Sequence, residues 1–495
     1  MPHSTDDMNL VPNFKPLPES RAYLGLLLLI AGLTLYRGLV LATADIGLYV
    51  DEAYYWGWAQ QLEWGYYSKP PMIAALIALT TSVCGNGVFC VKAGALLVYP
   101  ISTWLVFRLG QVLFDARIGL WAAALFLLMP GVALSNLIIS TDVLLLLFWA
   151  WAMLALVLAL QTNAWRHWLM LGVACGLGLL SKYTMALFAP SALLAMLLVP
   201  AWRGQLFNPR LWLAALLALA ILAPNILWNA QHGWPTFQHT AEISNLEHAG
   251  LHWDELGEFL SGQLAVFGPI SLILWLVALF KLPASRPKTL LVAFSLVFLL
   301  AISAQALLGR ANANWAAPAF VAASVLLAAW GVQHRRWLIA AMLLNMIIML
   351  GAYHYTQGAQ WLGVEMTGKT DPFKRVRGWD QLAEQYAARQ ALAPQALLMS
   401  GDRDLLAQLG YHLRLHPDQI VSWNAGQGIR HQYDLMHSLG QPHIGHDMLM
   451  VTNEPLPEAL ISRFNAVETL EPLHVQIHKD WDLKYAVYWM KGFRG

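Results

Sequence analysis

Charge is what this chain has least of. Only 12% of its 495 residues are Asp, Glu, Lys or Arg, against about a quarter in soluble domains, while 58% are hydrophobic and mean hydropathy is +0.50. That balance excludes a large soluble core and indicates a polytopic membrane protein. A formal net charge of +1 leaves no basic excess for nucleic acid. Cysteine is nearly absent, so no disulfide scaffold is expected. Cys175 lies in an apolar stretch and reads as core, while Cys84 and Cys90 flank Gly85-Asn86-Gly87-Val88-Phe89, where a disulfide is open if that loop is periplasmic. There is no Walker A loop, Rossmann glycine pattern, Gly-x-Ser-x-Gly elbow, His-Glu-x-x-His or paired-Cys motif, low-complexity segment or short repeat. Nucleotide-driven chemistry is therefore unsupported, and no structural metal is expected among the dispersed histidines.

A helix crosses roughly 30 Å of hydrocarbon in about 20 residues. Apolar spans fall near 22–44, 91–113, 118–139, 142–161, 165–181, 184–200, 211–229, 262–280, 288–308, 315–332 and 337–355, giving about eleven. Residues 68–83 are apolar but short and read as an interfacial or re-entrant helix. The polar residues 1–21 form an N-terminal tail without a cleavable signal, placed in the cytoplasm. Arg117, Arg166, Arg203, Arg210, Lys281, Arg286, Lys288, Arg335 and Arg336 then lie on inside connections, as the positive-inside rule requires. The outside connections carry 45–90, 230–260, Asp142, Lys182 and Arg310. After residue 358 the composition changes, and 359–495 holds more than half of the Asp and Glu and half of the histidines. Helical stretches at 378–392, 404–413 and 457–464 alternate with apolar runs at 396–399, 420–423 and 448–452, as in a small α/β domain. An odd number of spans puts that domain in the periplasm.

Acid at the exit of the first span is the most informative local feature. Tyr49-Val50-Asp51-Glu52-Ala53-Tyr54-Tyr55-Trp56 is followed by Gly65-Tyr66-Tyr67-Ser68-Lys69-Pro70-Pro71. Ionisable groups at such a depth point to function. One carboxylate can accept a proton from a hydroxyl while the other orients it. A divalent cation held by Asp51 and Glu52 is an alternative that the chemistry does not require, and helix N-capping is the competing structural reading. Lys69, Lys182 and Arg310, at the outer edges of separate segments, can converge on a phosphate through charge-assisted donors; snorkelling to headgroups is their structural alternative. Asp142, after Ser140-Thr141, serves either as an N-cap or as a partner in the same cavity. Arg37 is a candidate partner for a carboxylate such as Asp51. Tyr54, Tyr55, Trp56, Tyr66 and Tyr67 suit a sugar ring or the membrane aromatic belt.

The ordered set of motifs resembles the GT-C-fold membrane glycosyltransferases that use polyprenyl-phosphate sugars, specifically the family 39 relatives of protein O-mannosyltransferases and aminoarabinose transferases. The matching residues are Asp51-Glu52, Tyr66-Tyr67-Ser68-Lys69-Pro70-Pro71, Ser140-Thr141-Asp142, Leu179-Leu180-Ser181-Lys182-Tyr183, Trp228-Asn229-Ala230-Gln231-His232-Gly233-Trp234 and Arg310-Ala311-Asn312-Ala313-Asn314-Trp315. The resemblance implies a polytopic α-helical GT-C protein with interfacial helices and a small C-terminal α/β domain. It implies Asp51 as the catalytic base with Glu52 in support. Lys69, Lys182 and Arg310 would hold the donor phosphate, and Tyr54, Tyr67, Asp142, Tyr183 and His232 would line the substrate site. The expected reaction is inverting transfer of a hexose or pentose from polyprenyl phosphate to a lipid, glycan or protein hydroxyl. It would take place at the periplasmic face of a bacterial inner membrane. A lipid or sugar transporter or flippase is the alternative, disfavoured because the polar residues gather on one face and no repeat is visible. An O-antigen ligase or polymerase shares the lipid-linked donor but is not expected to rely on an early Asp-Glu.

Overall fold

The computed structural model describes residues 18–44, 46–244, 250–426 and 428–495. The N-terminal tail up to residue 17, and His248 with its neighbours, lie outside them. The chain divides into two compact units: Met1–Val40, Ala95–Leu227 and Thr240–Tyr353 form the first, and Leu41–Gly94, Trp228–His239 and His354–Gly495 the second.

The first unit is helical. Among the described residues, six helices are long and apolar enough to cross a membrane alone: Glu19–Thr43, Val88–Leu113, Thr141–Thr162, Pro209–Gln231, Arg286–Leu308 and Arg335–Tyr353. Each expected span contains helix, but not eleven full-length ones. The 118–139 stretch is split into Ala116–Leu128 and Pro130–Ser135 at Pro130, which has no N–H for the helical ladder. The 262–280 stretch is part of Trp253–Phe267 and Pro269–Lys281, which meet at 102°. Gly268 makes that bend at φ 96°, where a Cβ would lie 1.9 Å from Asn345 Oδ1. Pro269 cannot donate across the break, and Asn345 Nδ2 instead donates to the Phe267 carbonyl (3.3 Å) and to Ser271 Oγ (3.2 Å). A side chain thus satisfies backbone left unpaired at the break. Trp149 is fully buried against Phe188, Phe294 and Phe298. Gly110 and Gly119 let two helices touch through backbone, since a Cβ on either would come within 2.8 Å of the other helix.

The second unit contains a five-stranded mixed sheet. Its strands are β1 (Leu397–Ser400), β2 (Ile420–Ser422), β3 (Met448–Thr452), β4 (Phe464–His478) and β5 (Trp481–Phe493), in the order β2-β1-β3-β5-β4. β1 pairs parallel with β2 and β3, as expected of buried apolar runs separated by helices. β4 and β5 form a long antiparallel hairpin that adds to β3 through β5. Met399, Val421, Met448, Met450, Leu460, Phe464, Met490 and Phe493 make its core. The helices Val50–Ala59 and Met72–Cys84 belong to the same unit, the second occupying the stretch expected to be interfacial. Cys84 and Cys90 form a disulfide.

Candidate active site

In the second unit, the Val50–Ala59 helix starts at Tyr49 with two carboxylates in its first turn. Glu52 is the buried one. Its carboxylate accepts the Tyr49 N–H (2.8 Å) and lies 3.2 Å from Lys92 Nζ, and both charged side chains are sealed from solvent. Lys92 also donates to the Gly47 carbonyl at 2.9 Å. Asp51 is the open one, 60% exposed, 3.3 Å from Arg403 Nη1. The expected pairing of a carboxylate with Arg37 is thus replaced: Asp51 takes Arg403, and Arg37 donates to the Leu127 carbonyl at 2.7 Å. Lys92 and Arg403 were missed in the sequence. Lys92 begins an apolar span and resembles a headgroup-facing lysine, and Arg403 lies 352 residues after Asp51.

Arg403 is held by its neighbour Asp404, whose Oδ1 accepts from Nη2 (3.0 Å) and Nε (3.1 Å). Its guanidinium lies 5.5 Å from the centre of the Tyr54 ring. Tyr54 is buried, tilted against Trp58 and Tyr433, and its hydroxyl accepts the Gln432 N–H. The Gln432 side chain reaches the other aromatic segment, accepting the Tyr67 N–H at 2.7 Å. Two residues further on, Asp434 accepts from Ser422 (2.6 Å), Asn424 (3.1 Å) and Arg430 (2.9 Å).

The Lys69 turn is built locally. Tyr66 stacks on Trp58 at 4.5 Å, its N–H donates to the Lys69 carbonyl, and its own carbonyl accepts from Thr236 Oγ1 at 2.7 Å. The buried Tyr67 ring packs on His239, 4.9 Å between centroids. Burial, with the positive fields of Lys69 and Arg403, pulls the His239 imidazole down to about 4, so it is neutral at pH 7. Tyr54 and Tyr67, expected against a sugar ring, are packed on protein in this arrangement. His232 stacks on Trp228 at 4.3 Å and contacts its carbonyl through Nδ1.

The other candidate residues lie in the first unit. Asp142, in the first turn of Thr141–Thr162, is 2.6 Å from Lys182 Nζ through Oδ1 and accepts from Asn314 Nδ2 at 2.7 Å through Oδ2. Lys182 is extended (φ −160°, ψ 132°) at the end of Trp165–Ser181, which turns the chain towards Asp142. Tyr183 donates to Asn225 Oδ1 at 2.6 Å. Arg310 is exposed, four residues before Asn314.

Chemically, the second unit offers an accessible carboxylate beside a cation, backed by a sealed ion pair. Asp51 and Glu52 do not fit a resident divalent ion, because each already faces a cation. Among the described residues, no cluster of His, Cys, Asp and Glu has the makings of a metal site.

Residues 68–228 match the family model described as dolichyl-phosphate-mannose-protein mannosyltransferase. Over 400 residues the chain is 32% identical to the lipid A galacturonosyltransferase RgtD of Rhizobium johnstonii, covering 78% of this chain and 82% of that one. A 61-residue stretch is 41% identical to the lipopolysaccharide core galacturonosyltransferase RgtA of the same organism. The fold is similar to ArnT from Cupriavidus metallidurans, both in the apo state (TM-score 0.67, 15% identity, 94% of this chain and 98% of that one) and bound to undecaprenyl phosphate (TM-score 0.65, 15% identity, the same coverage). Family model, RgtD relative and fold agree, and the chain belongs to the polyprenyl-phosphate-dependent membrane glycosyltransferases of the GT-C fold.

Proposed function

We propose that this protein transfers a uronic acid, of the galacturonate type, from a polyprenyl-phosphate donor to a hydroxyl of a lipid A-like glycolipid at the periplasmic face of a bacterial inner membrane. The RgtD relative supports the sugar and the acceptor, and the ArnT complex with undecaprenyl phosphate supports the lipid carrier. The observation that carries the reading is the division of labour between adjacent carboxylates. Asp51 is open and Glu52 is sealed against Lys92.

In the reaction, Asp51 takes the proton of the acceptor hydroxyl. The oxygen attacks the anomeric carbon from the face opposite the phosphate, so the new C–O bond inverts configuration. The old bond breaks towards oxygen, and polyprenyl phosphate leaves. Lys69, in the turn whose Tyr66 stacks on Trp58, is assigned to the donor phosphate, where a cation stabilises the developing charge. Glu52 does not meet substrate; it fixes the helix turn from which Asp51 projects.

The test is transfer from synthetic polyprenyl-phosphate galacturonic acid to lipid A by the purified full-length protein in nanodiscs, read by mass spectrometry. Asp51→Ala should lower turnover by roughly 10²- to 10⁴-fold, the usual contribution of a general base, with an unchanged melting temperature. Near-normal turnover by this variant would end the assignment of Asp51.

A further inference from the structure

We propose that Arg403 reads the carboxylate of the transferred sugar, and so selects uronic acid donors over neutral ones. The inference rests on the uronate reading above and deepens it. Its starting point is geometric: the Nη1 of Arg403 faces the open carboxylate of Asp51 at 3.3 Å, one cation beside one carboxylate.

A uronate changes the balance. The acceptor oxygen sits about 3 Å from the base, and the anomeric carbon about 3 Å further on. The ring carboxylate therefore approaches Asp51 to within several ångströms. Two carboxylates about 5 Å apart, at the effective dielectric near a protein surface, repel by enough to weaken binding roughly a hundredfold. A cation between them removes that penalty, and Arg403 is placed to supply it.

Its remaining donors fit the task. Nε and Nη2 are committed to Asp404, which orients the fork. Nη1 meets Asp51 at 3.3 Å, longer than a tight charge-assisted bond of about 2.8 Å. Of the five N–H groups of a guanidinium, the Nη groups thus keep capacity, and the side chain is 38% exposed. A planar carboxylate suits such a fork. The Tyr54 ring below it is buried and cannot swing away, and the field of Lys69 reaches the same region, as its effect on His239 shows.

The experiment compares two donors, polyprenyl-phosphate galacturonic acid and polyprenyl-phosphate galactose, with the full-length protein in nanodiscs. Wild type should prefer the uronate. Arg403→Gln should lower kcat/KM for the uronate roughly 10- to 100-fold, the worth of a charged hydrogen-bonded contact, and leave the galactose donor equal or faster. Arg403→Lys keeps the charge without the fork, should fall between, and carries the test if the Gln variant fails to fold. Equal losses on both donors, or an intact uronate preference in folded Gln and Lys variants, would overturn the role of Arg403 while leaving the uronate reading in place. A wild type that prefers galactose would overturn both.

Discussion

Replacing Lys92 by Met tests whether the sealed ion pair holds the helix that carries Asp51. Met fills much of the space of the lysine stem but removes the cation 3.2 Å from Glu52, where neither side chain reaches solvent. Removing one member of such a pair costs about 3–5 kcal/mol, because the other charge stays buried and uncompensated. The Gly47 carbonyl also loses its donor, within the same range. Replacing both members differs in kind: Glu52→Gln still accepts the Tyr49 N–H, no charge remains, and such swaps are often close to neutral. The single Lys92→Met variant should therefore be less stable than the Lys92→Met/Glu52→Gln double variant, with a coupling of about 2–4 kcal/mol across the cycle. Trp56 and Trp58 lie on the same helix, so tryptophan fluorescence during heating in detergent reads its loss. The pair is not doing this work if the single variant melts with the double one, or if the coupling is below about 1 kcal/mol.

Two further outcomes follow from the second unit. His239, His412 and His431 are each pulled from the ordinary 6.5 to about 4, burial being the largest cause. Between those values the unfolded chain binds protons that the folded one does not, so stability is complete above about pH 6.5 and falls as pH drops towards 4; a melting temperature flat from pH 7 to 5 would contradict this. Asn86, inside the Cys84–Cys90 loop, accepts the Trp56 indole N–H (2.8 Å) through its side chain and the Tyr411 hydroxyl (3.0 Å) through its carbonyl. Cys84→Ser/Cys90→Ser should therefore lower kcat more than KM and speed proteolysis near residue 86, and unchanged kinetics would show that the loop holds its shape without the bridge.

The helices were legible because the bilayer demands long apolar runs, and all eleven stretches contain helix. Their interruptions were not, since Gly268 and Pro130 break helices only where partners such as Asn345 cover the exposed backbone. β1, β2 and β3 could be read as short apolar runs. The β4–β5 hairpin could not, because its outer strand is largely solvated and alternates irregularly around two register shifts. Among the candidate residues, Asp51, Glu52, Lys69, Asp142 and Lys182 stand out because charge is scarce around them. Lys92, Arg403 and Gln432 do not, as each belongs to a segment with another evident purpose. Only tertiary contact gives these residues their partners.

The Asn86–Tyr411 contact spans 325 residues, the Leu48–Gln408 contact 360 and the Tyr54–Gln432 contact 378. Synthesis runs from one end, so the segment bearing Asp51 is made early and stays unfinished until nearly the whole polypeptide has followed. A chain halted before residue 403 has its carboxylate but neither its arginine nor its clamps. The surroundings of Asp51 are thus completed last, and a polypeptide truncated in the membrane carries that carboxylate without the residues that pack around it.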